Sequence, residues 1–180
     1  MSETALIDRY LPEYTFSEYH EIVVNSPIEE VYEVTKNVDL SKSTLIVALF
    51  KLRGLPTRRM NLQGLIDDIG LSRLAENYPM EHLIGFLATN HVVPIADAKE
   101  FLAHSLSTKV KVALNFSLSE ISPGLTKVTT ETRILCLSKV TRRIFKTYWL
   151  VLKPFSSMIR KRMLKIVKRQ AELIGWNCYL

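Results

Sequence analysis

The chain has 180 residues, 47% of them apolar, and a formal net charge of +6. That length suits one domain whose core needs neither disulfides nor metals. Two scattered cysteines, Cys136 and Cys178, make no disulfide framework and point to a reducing compartment. The start, "MSETALIDRYLPEYTF", lacks the basic end and apolar centre of a signal peptide. The longest tight apolar run, Thr44 to Phe50, falls far short of the ~20 residues of a membrane span. The expectation is a cytoplasmic protein with a single domain over residues 1–180.

Residues 1–16 read as an N-terminal arm. Ser17 to Asn25 carries the β-branched cluster of a strand. Ser26, Pro27 and Glu29 have the spacing of a helix start, with Ser26 as cap and Glu29 at the capping-box distance. Val31, Val34 and Val38 follow at helical spacing. Asp39 caps a second helix to about Leu52, ended by Gly54 and Pro56. "RGLPTRRMNLQGL" reads as a loop. Two short strands follow, roughly Leu71 to Glu76 and Glu81 to Thr89, joined at Asn77-Tyr78-Pro79. Residues 91–105 fit no single pattern. "KVKVALNFSL" alternates apolar and polar residues from Val110 to Leu118, the strongest strand signal in the chain. Pro123-Gly124 turns it into a returning strand, Lys127 to Leu137.

The last element is a long helix capped by Ser138. Phe145, Tyr148, Leu152, Phe155, Ile159, Met163, Ile166, Gln170 and Leu173 lie on one stripe at steps of three and four. Pro154 predicts a kink within one continuous element. Between Lys139 and Ala171 lie eleven basic residues and no acidic one. The segment therefore carries +11 and the rest of the chain −5. Burial of a large apolar side chain is worth roughly 1.5–3 kcal/mol. A surface charge contributes a few tenths and is screened by salt. The apolar stripe thus decides how the helix lies, and the basic back is exposed by default. The acidic body and the lack of aromatics on the basic face argue against nucleic acid as a partner.

A strand, two short helices, antiparallel strands and a long final helix make an α+β fold. A curved antiparallel sheet would wrap around the C-terminal helix, with the two helices closing one end. The stretches "YHEIVVNSPIEEVYEVTKNVDL", "LRGLP", "EHLIGF", "TETRI" and "YWLVLKPFSSMIRK" occur in this order. With them the chain resembles the helix-grip superfamily known as SRPBCC or START-like, and within it a bacterial subgroup without an assigned activity. The superfamily includes lipid-transfer domains, polyketide aromatase/cyclases and plant hydrophobic-ligand binders. The resemblance implies an internal cavity for an apolar or amphipathic ligand, such as a lipid, isoprenoid or polyketide-like molecule.

No nucleotide-binding, nucleophile-elbow or zincin motif occurs. His20, His82, His91 and His104 lack the spacing of a metal site. No cofactor or metal is expected, and binding is preferred to catalysis. The cavity candidates are Leu114, Phe116, Thr130, Thr132, Arg133, Phe145, Tyr148 and Leu152. If Val128, Ile134 and Cys136 set the inner face of their strand, Thr130 and Thr132 point inward, and Glu131 and Arg133 form a surface pair. In the other register Arg133 enters the cavity as an anchor for an anionic group. A β-bulge could exchange the two faces. "LRGLP" is expected at the mouth; plain surface exposure is the preferred reading of Arg53 and Arg59, with contact to a ligand headgroup as the alternative. Two alternatives stand beside simple binding: a cyclase-type enzyme on a polyketide-like substrate, and a lipid carrier that docks on an anionic membrane surface through the basic helix.

Overall fold

The computed structural model describes residues 4–52 and 54–177. Arg53 and Cys178 lie outside them. The elements in chain order are α1 (Leu6–Tyr10), β1 (Phe16–Val24), α2 (Ile28–Lys36), α3 (Thr44–Leu52), α4 (Leu62–Ile69), β2 (Ser72–Asn77), β3 (Glu81–Ala88), β4 (Val92–Val93), α5 (Ala98–Ala103), β5 (Val110–Ser122), β6 (Leu125–Cys136) and α6 (Lys139–Asn177). The strands form one open antiparallel sheet in the order β1-β6-β5-β3-β2, with β4 on β3. Strands with one apolar face must be covered, and the 39-residue α6 covers this one. The architecture is α+β helix-grip, as the alternation of β5 and β6 and the stripe of α6 predict.

Alternation assigns the two faces of the sheet. Phe16, Glu18, His20, Ile22 and Val24 of β1 pair with Ile134, Thr132, Thr130, Val128 and Thr126 of β6. These residues look inward. Val24, Val128 and Phe116 pack there with Met163, Leu164 and Val167 of α6, and with α2, α3 and α4. At the other end of the same face, Val112, Ile134 and Phe16 meet Phe145, Trp149 and Leu152. The outer face carries a smaller core of Leu83, Leu87 and Ala113 under Leu6, Ile7 and Phe101 of α1 and α5.

Several local expectations change. Ser26 does not cap α2; its hydroxyl donates to Glu30 at 2.7 Å, and Pro27 holds the cap position. Asp39 caps a short 3-10 turn, Leu40–Lys42, and α3 begins only at Thr44. The segment read as a loop contains the first half of α4. Asn61 accepts from Gly64 N–H at 2.8 Å to start it, and Gly70, at φ 82°, ends it in the left-handed region. A side chain at Gly64 would collide with Arg59, so this interior glycine is a packing requirement rather than a loop signal. The arm holds α1, and the patternless stretch holds β4 and α5.

α6 runs as one helix through Pro154. Its packed line is rotated from the expected stripe: Trp149, Met163, Leu164, Val167 and Ala171 are buried, whereas Tyr148 and Leu173 are exposed. Apolar residues span a wider arc of this helix than the sheet can cover, so sequence spacing alone does not locate the contact line.

Candidate functional site

β1, β6 and α6 enclose a polar cluster on the inner face of the sheet. It begins with two residues of "SEYHE" that alternation turns inward. Glu18 is only 7% exposed. Its Oε1 lies 2.8 Å from His20 Nε2, and its Oε2 is buried with no hydrogen-bond partner. A bare buried acceptor costs roughly 1–3 kcal/mol, more when charged, so this oxygen marks the site. Ser157 Oγ of α6 approaches His20 Nε2 at 3.3 Å. Arg160 Nη1 reaches Thr130 Oγ1 at 3.4 Å, beside His20 in the register. Thr132 stands opposite Glu18 on the same face.

Two electrostatic features follow from burial. It pulls the Arg160 guanidinium down to about 10, with the Glu18 carboxylate opposing the shift. Arg160 therefore remains charged at neutral pH and supplies the counter-charge to Glu18. The chemistry at His20 is also constrained. Its Nε2–H donates to the carboxylate, so Ser157 shares a nitrogen that already carries its proton. A nucleophile and an orienting acid need opposite ring nitrogens, and this Ser-His-Glu grouping is not a triad. Ser157 also lines a surface concavity of about 460 Å³ with Leu45, Pro154, Met158, Lys161, Arg162 and Lys165.

The register of β6 is continuous with β1 and, from Cys136 to Thr126, with β5; its one irregularity lies beyond, at Glu120/Ser122. Thr130 and Thr132 face inward together with Leu114 and Phe116. Phe116 is fully buried and stacks on His82, centroids 5.1 Å apart. Phe145 and Leu152 lie on the same side, in the apolar end beside Trp149. Tyr148 sits at the outer edge of α6, 50% exposed, with its ring 5.5 Å from Phe145.

Arg133 is on the opposite face. It is buried rather than part of a surface pair, because α1 lies over it. It donates to the Leu11 carbonyl at 3.1 Å, pairs with Asp8 at 2.7 Å and Glu131 at 2.7 Å, and stacks over Tyr14. Its donors are committed to the N-terminal arm. Arg59 pairs with Asp67 at 2.9 Å and with Asp68 on α4. Sequence reasoning missed Glu18, His20, Ser157 and Arg160. The signal was present in β1, where strict alternation puts Glu18 and His20 on the face set by Ile22 and Val24. No group of three or more His, Cys, Asp or Glu side chains that could hold a metal occurs among the described residues.

No family model and no curated protein matches the chain. Solved structures similar to it include a hypothetical protein of Helicobacter pylori (TM-score 0.44, 7% identity, 95% of this chain and 97% of that one). A protein from Nitrosospira multiformis is similar at TM-score 0.41 and 12% identity over 86% and 95% of the two chains. The Zhui aromatase/cyclase of Streptomyces sp. R1128 is similar at TM-score 0.37 and 10% identity over 87% and 93%. All three scores lie below 0.5, so the helix-grip assignment rests on the sheet order and the covering helix themselves.

Proposed function

We propose that the protein binds an amphipathic small molecule between the sheet and α6. The carrying observation is the bare Oε2 of Glu18 on an inner face that is otherwise apolar or internally bonded. A carboxylate oxygen accepts hydrogen bonds only, so the ligand must offer a donor there: a hydroxyl, an amide N–H or an ammonium. Apolar walls would replace water around the body of the molecule, and a few polar groups would fix its orientation. The basic lip of Lys161, Arg162 and Lys165 favours an anionic or strongly polar end nearer the surface. Hydroxylated lipids, isoprenoids and polyketide-like molecules satisfy these demands.

A cyclase-type activity on a polyketide-like substrate is the second reading, favoured by the same atom. A bare carboxylate in a dry groove can take a proton as readily as it accepts a hydrogen bond. Native mass spectrometry of the purified protein beside a denatured sample separates the readings. A retained mass that is lost on denaturation and extracted unchanged supports binding. Conversion of the extracted compound by fresh protein supports the enzyme. A bare protein that also fails to take up the organic extract of its host cells removes both.

A further inference from the structure

The first half of α6 turns more apolar surface outward than its packing requires. Val140 (70% exposed), Ile144 (68%) and Val151 (64%) align with Tyr148, Phe155 and Met158 at steps of three and four. That is the spacing of one helix face. The neighbouring face carries Phe145, Trp149 and Leu152 onto the sheet, so the outward stripe is a second apolar surface. α3 presents exposed Leu45 and Leu52, and Leu45 shares a concavity with Met158 and Lys161. The stripe therefore borders the concavity that Ser157 lines.

Charge decides the occupant. Between Lys139 and Arg162 there are eight basic residues and no acidic one, and all but Arg160 are exposed. A second copy laid stripe to stripe would oppose the exposed charges that border the stripe, Arg143, Lys161 and Arg162, with their counterparts. Nucleic acid would neutralise the charge and leave the apolar stripe in water. A surface with negative headgroups above a hydrocarbon layer satisfies both demands. We propose that the stripe from Val140 to Met158, with Arg143, Lys161 and Arg162 beside it, is a docking surface for an anionic lipid bilayer. The helix lies along the surface: no described helix is long and apolar enough to cross a membrane. Docking there sets the concavity beside Ser157 against the lipid, and it holds whether or not the interior carries a ligand.

The test is flotation of the purified protein with vesicles of phosphatidylcholine alone or mixed with phosphatidylglycerol. The wild-type protein should float with the mixed vesicles at low salt, and at least about tenfold less at high salt or with phosphatidylcholine alone. The double variant I144D/V151D should lose about tenfold or more while keeping the wild-type circular dichroism, because both side chains are exposed. The proposal is overturned if the wild-type protein does not float with mixed vesicles, if its flotation ignores salt, or if the folded variant floats equally well. A dimer in sedimentation that I144D/V151D dissolves would also overturn it and assign the stripe to a second copy. A change at Glu18 leaves this surface intact, so failure here is distinguishable from failure of the ligand-binding reading.

Discussion

The two faces of the sheet each set a buried carboxylate near a guanidinium, and they use them differently. On the outer face Glu81 accepts from Leu6 N–H at 2.7 Å and from Asn115 Nδ2 at 2.6 Å. Arg133 fills the carbonyls at the far end of the same short helix. Negative charge sits at the start of α1 and positive charge at its end, the arrangement that the helix dipole favours. Each group has several partners, and the network clamps α1 to the sheet. On the inner face Glu18 keeps one oxygen bare, and Arg160 makes one long hydrogen bond to Thr130. Burial alone does not distinguish a structural charge from a functional one; completeness of its hydrogen bonding does.

The comparison is sharpest at Arg133. Arg133→Met should cost about 3–5 kcal/mol in urea unfolding, since it leaves the partly buried Glu131 and the buried Ile7 and Leu11 carbonyls without their donor. Ligand retention by the folded fraction should be unchanged. A loss below about 1 kcal/mol would make the outer network a surface feature and blunt the contrast.

A titration of similar size comes from the inner core. Burial, opposed by Glu76 and aided by Lys36 and Arg73, lowers His82 to about 4. Thr35 donates to the Tyr32 carbonyl at 2.7 Å, so its oxygen accepts from His82 Nε2–H at 3.0 Å. The folded protein binds this proton more weakly than the unfolded chain does. The contribution of His82 is therefore fully present above the ordinary histidine pKa of ~6.5 and is lost as pH falls through 4. Stability should drop by about 3 kcal/mol over that window, read as urea midpoints. His82→Phe should flatten the slope, and an unchanged slope would assign it to other groups.

The inner pair should respond as a unit. Glu18→Leu alone leaves Arg160 without its counter-charge and should cost about 1–2 kcal/mol, discounted for the partial exposure of Arg160. The double variant E18L/R160M should return to within about 1 kcal/mol of wild type, as thermal or urea unfolding will show. A fall comparable to that of Arg133→Met would mean that the inner cluster is structural as well. The smallest effect is expected on the surface: I144D/V151D should change stability by less than about 1 kcal/mol.

Much of this was legible in the sequence. Alternation in β5 gives the face of Leu114 and Phe116, the sequence leaves two registers open for Thr130 and Thr132, and the long periodic C-terminal segment gives α6. The short helices α1, α4 and α5 were hidden because five to eight residues offer too few turns for a period to show. Arg133 was misjudged because sequence alternation names a face but not what covers it; α1 reaches that face from more than a hundred residues away in the chain. Arg160 was submerged in a run of basic residues, where only three-dimensional packing shows which one turns inward. Tyr148 and Trp149 are neighbours on a helix apolar over half its circumference, and packing against Phe16 selects Trp149.

The most direct test of the account compares native mass spectra of the wild-type protein and E18L/R160M, each beside a denatured sample. The account predicts a retained mass on the wild-type protein that the stably folded double variant lacks. The same retained mass on both proteins would contradict it, because the bare oxygen of Glu18 would then be irrelevant to what the groove holds.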